Sequence, residues 1–178
     1  MTLNSREGEG TTFSLFLPAT AEPVLNASPV RSTNPVFGAS ILVLEDELMV
    51  QRVYRGLLQR WGYDVEVVTD GADAVRRFAD RREQGRPFDL LIMDLTIAGG
   101  VGGRQAITEI LELDPSARAI VASGYTDDPA MVRFRDAGFA GALSKPFQPN
   151  DLACAISATL SEHGSFHQSA ARSTVNRT

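Results

Sequence analysis

Short apolar runs alternate with longer stretches of helical period five times in succession along the middle of this chain. Residues 41–44, 65–68, 90–93, 120–122 and 141–143 are continuous apolar segments of strand length. Runs without polar alternation are what strands covered on both faces require. Between the first two lie Val50, Val53, Tyr54, Leu57, Leu58 and Trp61, spaced as one stripe of a helix, with Gly62 placed to take a left-handed cap. Helices two, three and five are predicted over 72–82, 104–113 and 150–160. Helix four is predicted over 129–137, with Asp128 as N-cap, Pro129 in the first turn and Gly138 as the stop. Strictly alternating strands and helices predict an α/β, three-layer, doubly wound five-stranded parallel sheet.

The flanks read differently. From Pro18 to Gly38 the residues are small, polar and broken by Pro23, Pro29 and Pro35, which predicts a flexible linker over 19–38. Residues 163–178 hold Ser, Ala and Arg without apolar spacing, a disordered tail. The folded unit is therefore expected over 39–162, behind a separate leading segment at 1–18.

Composition narrows the function classes. With 178 residues, 43% hydrophobic and 22% charged, the chain suffices for one compact core plus tails. A net charge of -5 without any dense Lys/Arg run argues against a nucleic-acid surface. Cys154 is the one cysteine, so no internal disulfide forms and the cytoplasm is the expected compartment. Within Leu152-Ala-Cys-Ala-Ile156 it is read as a small buried side chain. No apolar run approaches the ~20 residues of a membrane helix, and no signal sequence opens the chain, so no membrane contact is expected.

Four strand ends carry reactive groups. Glu45-Asp46 closes the first apolar run, Asp94 the third and Ser123 the fourth, and Lys145 follows the fifth. In a doubly wound sheet, ligands gather outside those ends where the winding reverses. Crowded carboxylates raise one another's proton affinity unless a cation neutralises them. Mg2+ suits such a set, taking one or two carboxylates and phosphate oxygens while keeping waters. Asp46 and Asp94 are assigned as direct ligands, Glu45 as a ligand through water, and the backbone carbonyl of Thr96 completes the set. Asp94 is then the nucleophile toward a phosphoryl group, Lys145 supplies positive charge, and Ser123 donates a hydrogen bond to the attached phosphate. Alone, an acid ending a strand is more commonly a helix N-cap or a solvated loop charge; four positions in order distinguish this chain. Gly99-Gly100-Val101-Gly102-Gly103 lacks the Gly-Lys-Ser/Thr ending of a nucleotide loop and reads as a flexible connection. His163 and His167 lie in the tail, without the helical setting of a phosphodonor.

These motifs resemble the response-regulator receiver domain. Ile41-Leu-Val-Leu-Glu-Asp-Glu47 is similar to its acidic opening strand, Leu91-Ile-Met-Asp94 to its phosphoacceptor strand, Val121-Ala-Ser-Gly124 to its hydroxyl position and Ser144-Lys-Pro-Phe147 to its lysine loop. The resemblance implies a flavodoxin-like strand order 2-1-3-4-5, a cis Lys145-Pro146 peptide, and a phosphoryl group received from the phosphohistidine of a histidine kinase or histidine phosphotransfer protein. It also implies helix four and strand five as a face able to form a homodimer. Ser5-Arg-Glu-Gly-Glu-Gly-Thr-Thr-Phe-Ser-Leu-Phe-Leu-Pro18 resembles the end of a histidine-kinase ATP-binding domain, with Gly8-Glu-Gly-Thr11 at its last glycine box. That implies the C-terminal part of a hybrid sensor kinase, itself no enzyme beyond Mg2+-dependent self-phosphorylation. Two departures stand out. Ala142 replaces the switch aromatic three residues before the lysine, and Ala98 replaces a proline, which is expected to loosen the loop 96–103.

Three other functions share parts of this pattern. A receiver-like module working without phosphorylation would usually lack Asp94, Asp46 or Lys145. A haloacid-dehalogenase-type phosphatase, which also forms an aspartyl phosphate, would want an acid at Thr96 and a cap domain. A flavin-binding relative would carry Ser/Thr phosphate ligands where Glu45 and Asp46 stand.

Overall fold

The computed structural model describes residues 2–6, 8, 10–16, 38–124 and 128–161. The five apolar runs form one parallel sheet. Its strands are β3 (Ser40–Leu44), β4 (Asp64–Val68), β5 (Leu90–Asp94), β6 (Ala119–Ser123) and β7 (Gly141–Ser144), ordered β4-β3-β5-β6-β7. That is the order 2-1-3-4-5. β5 and β6 are buried along their whole length, whereas the edge strand β4 alternates polar Asp64 and Glu66 with partly buried valines. Two-residue periodicity splits the core into two layers. Leu42, Leu44, Leu91, Met93 and Val121 pack with Ala74, Phe78, Ile107 and Ile110 of α2 (Gly71–Glu83) and α3 (Gly103–Leu113). On the other face Ile41, Val43, Ile92, Ile120 and Leu143 meet Tyr54 and Leu58 of α1 (Leu48–Arg60) and Leu152 and Ile156 of α5 (Pro149–Ser161).

The leading segment forms an antiparallel hairpin, β1 (Thr2–Arg6) with β2 (Gly10–Ser14), pairing Leu3 with Phe13. Leu3, Phe13 and Leu15 are exposed. Apart from Gly38, the expected linker, like the expected tail and Glu162, lies outside the described residues.

At the amino ends of the parallel strands, Arg81 of α2 gathers several partners. Its Nη2 lies 2.6 Å from Ser40 Oγ and 2.8 Å from Asp64 Oδ2, and its guanidinium stands 4.7 Å from the centre of the Phe88 ring.

Three sequence expectations are corrected. α4 is a single turn, Pro129–Val132, not a helix to Ala137. Its start is as expected, with Asp128 Oδ1 accepting the Ala130 amide at 2.7 Å. Arg133 then leaves helical geometry at φ -120° and ψ 51°, and the chain continues in tighter turns such as Asp136 N–H to Arg133 C=O (3.0 Å) and Gly138 N–H to Arg135 C=O (3.1 Å). Cys154 is exposed, because α5 buries the stripe Leu152, Ile156 and Thr159 and a residue two places past Leu152 points the other way. Val53 is likewise 48% exposed, outside the stripe that α1 buries.

Candidate functional site

Sheet register brings the reactive strand ends together. β3 and β5 pair Val43 with Ile92 and Leu44 with Met93, so one further step sets Glu45 beside Asp94. β5 pairs Asp94 with Ala122, and β6 pairs Ala122 with Leu143. Glu45, Asp94 and Lys145 thereby share the pleat side of Val43, Ile92 and Leu143, facing the α1/α5 layer. The ladder sets Glu45 beside Asp94, and Lys145, one residue past β7, reaches both from the loop that follows.

Lys145 Nζ donates to Asp94 Oδ2 at 2.5 Å and also bonds Glu45 Oε2. Glu45 is buried, its Oε1 accepts the Glu47 amide at 3.2 Å, and its carbonyl accepts Gln51 Nε2 at 2.9 Å. One oxygen from each of Glu45, Asp46 and Asp94 lies within 4.8 Å of the others. Asp46 is half-buried, and its Oδ2 accepts the Ala98 amide at 2.9 Å. Asp94 Oδ1 accepts the Thr96 amide at 3.0 Å. Ser123 is buried at the end of β6, and its carbonyl accepts the Lys145 amide at 2.8 Å, so hydroxyl-bearing strand and lysine loop are joined through the backbone. Lys145-Pro146 is cis.

Electrostatics follow from this crowding. Burial pushes the Glu45 carboxyl above 4.5, with the Asp94 charge adding to it and Lys145 only partly opposing. Burial pulls the Lys145 ammonium down, but its bonds to Asp94 and Glu45 outweigh that and hold it above 10.5. Below them lies Tyr54, fully buried, whose hydroxyl is pushed well above its ordinary range by burial and by the charges of Glu45 and Asp94. Its ring sits 5.2 Å from that of Phe147, two residues after the lysine.

The glycine-rich connection from β5 to α3 departs from the loose loop expected of it. It is held at Ala98 by Asp46, at Val101 by Asp70 Oδ2 (3.0 Å), and again where the Gly71 amide donates to the Val101 carbonyl (2.9 Å). Asp70 was not singled out from the sequence, and its bond to an amide 31 residues away leaves no local signal. The direct Glu45–Lys145 pair was also not foreseen. His163 and His167 lie outside the described residues.

The donor set is chemically apt for a hard divalent cation: three carboxylates, no sulfur and no imidazole, at the crevice where helices change from one sheet face to the other. The family model of the response regulator receiver domain matches residues 41–157. This chain belongs to that family. The receiver is 28% identical over 120 residues to the chemotaxis protein CheY of Thermotoga maritima, covering 67% of this chain and 95% of CheY. It is 29% identical over 168 residues to the sensor kinase CckA of Brucella abortus, an alignment covering 86% of this chain but only 17% of that kinase. Among solved structures it is similar to the receiver domain of the Pseudomonas aeruginosa PAO1 sensor histidine kinase PA1611. That likeness has 26% identity and a TM-score of 0.61, covers 70% of this chain and 98% of the other, and that structure holds a magnesium ion coordinated in its active site cleft. Among the described residues, no helix of this receiver is long and apolar enough to cross a membrane.

Proposed function

We propose that this receiver accepts a phosphoryl group from a phosphohistidine onto Asp94, with Mg2+ held by Asp46, Asp94, the backbone carbonyl of Thr96 and, through water, Glu45. The observation that carries the reading is the meeting of three carboxylates at one point with Lys145 bonded to two of them. An Asp94 oxygen forms a bond to phosphorus while the phosphorus–nitrogen bond breaks, its electron pair returning to the donor imidazole. Bound metal would neutralise the repelling carboxylates and draw charge on the phosphoryl oxygens. Esterified, Asp94 no longer offers Lys145 a full charge, so the ammonium follows the charge onto the phosphoryl oxygens. Ser123, joined to Lys145 through the backbone, adds a hydroxyl donor. A groove of about 450 Å³ beside the lysine, lined by Met49, Val50, Val53, Pro146 and Phe147, gives an apolar footing for the protein that presents the histidine, a histidine kinase or histidine phosphotransfer protein.

We further read the chain as the C-terminal part of a hybrid sensor kinase acting in the cytoplasm. The alignment with CckA extends beyond the receiver, and the hairpin β1–β2 leaves the paired Leu3 and Phe13 exposed, as a piece of a larger sheet would.

Incubation with Mg2+ and acetyl phosphate, followed by intact-mass measurement, tests the central claim. One phosphoryl adduct is expected on the wild-type chain and none on Asp94→Asn. An adduct that persists in the variant refutes the assignment of Asp94.

A further inference from the structure

Asp70 sits outside the acidic cluster, yet its two oxygens face two different elements. Oδ1 accepts the Ala72 amide at 2.8 Å and so caps α2, while Oδ2 accepts the Val101 amide at 3.0 Å. Beside it the Gly71 amide donates to the Val101 carbonyl at 2.9 Å, so the start of α2 grips Val101 on both its backbone groups. Three residues earlier in the same loop, the Ala98 amide donates to Asp46 Oδ2 at 2.9 Å. The loop thus spans from α2 to one of the carboxylates that would hold the metal. Packing enforces the arrangement: a Cβ on Gly100 would lie 2.2 Å from Asp70 Oδ2, and one on Gly71 2.5 Å from the Val101 carbonyl oxygen. Gly100 is not among the glycines with positive φ, so it is the space and not the backbone angle that forbids a side chain there.

We propose that Asp70 is a positioning residue for the cation site, a clamp that fixes the β5–α3 loop so that the Ala98 amide holds Asp46 in place. This rests on the reading of the carboxylates as a Mg2+ site. A loop held at Val101 by the Gly71 amide alone regains some conformational freedom that must be lost again each time Asp46 is oriented, and that loss weakens the cation's hold. Alanine at 98 supplies the N–H that Asp46 accepts, a donor that a proline at this position would lack. A carboxylate can bridge where a capping hydroxyl cannot, since only the former has a second oxygen for Val101.

Asp70→Ser separates the two duties, because serine still caps a helix but cannot reach Val101. In the full chain, the Ala98 and Val101 amides are expected to exchange with solvent faster in Asp70→Ser by about tenfold, while amides in the middle of α2 keep their protection. The dissociation constant for Mg2+ alone, by calorimetry, is expected to rise by about tenfold, the lower end of what outer-shell ligand partners contribute. Gly100→Ala, which pushes on the same carboxylate, should weaken Mg2+ binding in the wild-type background and add nothing on top of Asp70→Ser. Unchanged Ala98 exchange, unchanged Mg2+ affinity, or additive effects of the two substitutions would each overturn the clamp. If the wild-type chain binds no Mg2+, the carboxylate reading fails on its own, and Ala98 exchange still decides whether Asp70 fixes the loop.

Discussion

Replacing Asp46 by asparagine should make the metal-free protein more stable and remove its response to Mg2+, two effects of opposite sign in one assay. An oxygen of each of Glu45, Asp46 and Asp94 lies within 4.8 Å of the others. At that separation two unit charges repel by about 3.5 kcal/mol at an effective dielectric of about 20, and by about 0.9 kcal/mol in bulk water. Asp46 faces two such charges, but it is half-buried and Lys145 cancels part of what it faces, which brings the relief to about 1–2 kcal/mol. Asparagine keeps an oxygen to accept the Ala98 amide, so the loop bond is not the quantity being changed. At a Mg2+ concentration about a hundredfold above its dissociation constant, the wild-type chain gains about 2.7 kcal/mol from binding. Urea unfolding followed by circular dichroism, once in EDTA and once in Mg2+, reads both effects, with the slope against denaturant as a check that the unfolded state is unaltered. The variant should be the more stable protein in EDTA and the less stable in Mg2+. A variant that is less stable in EDTA, or that gains as much from Mg2+ as the wild type, refutes the reasoning.

Two further outcomes follow from groups around the cluster. Tyr54 has a buried hydroxyl without a hydrogen-bond partner among the described residues, so Tyr54→Phe should raise stability by about 1 kcal/mol while keeping the ring against Phe147; a loss of that size in urea unfolding would contradict it. Because burial holds the folded-state carboxyl of Glu45 above 4.5, the folded protein binds a proton before the unfolded chain does, and metal-free stability should increase as the pH falls from neutral toward 4.5. In Glu45→Gln that part of the gain should be absent, and unfolding midpoints with the same pH profile as the wild type would count against it.

Much of this was legible beforehand because each signal was local. Strands buried on both faces leave continuous apolar runs, and a doubly wound sheet forces chemistry to strand ends, so Glu45, Asp94, Ser123 and Lys145 could be located by counting runs. What escaped was of two kinds. The sides of helices were misjudged where a small or apolar residue suits either face, as at Val53 and Cys154. Contacts between a side chain and a distant backbone or charge also escaped, since the bond from Asp70 to Val101 or from Glu45 to Lys145 has no period and no fixed spacing. Helix four shows a third limit. Its cap at Asp128 is where the sequence puts it, but the helix ends at Val132, six residues short of Gly138.

The cluster around Arg81 lies at the opposite end of the strands from the carboxylates, fastening Ser40, Asp64 and Phe88 to α2. Its partners are fixed in identity and have no reason to change when the other end takes on or loses charge. The sheet is therefore polarised like a hinge bolted on one side: on the proposed function, a rearrangement driven by a newly attached group would be spent at the free rim, where α4 has a single turn.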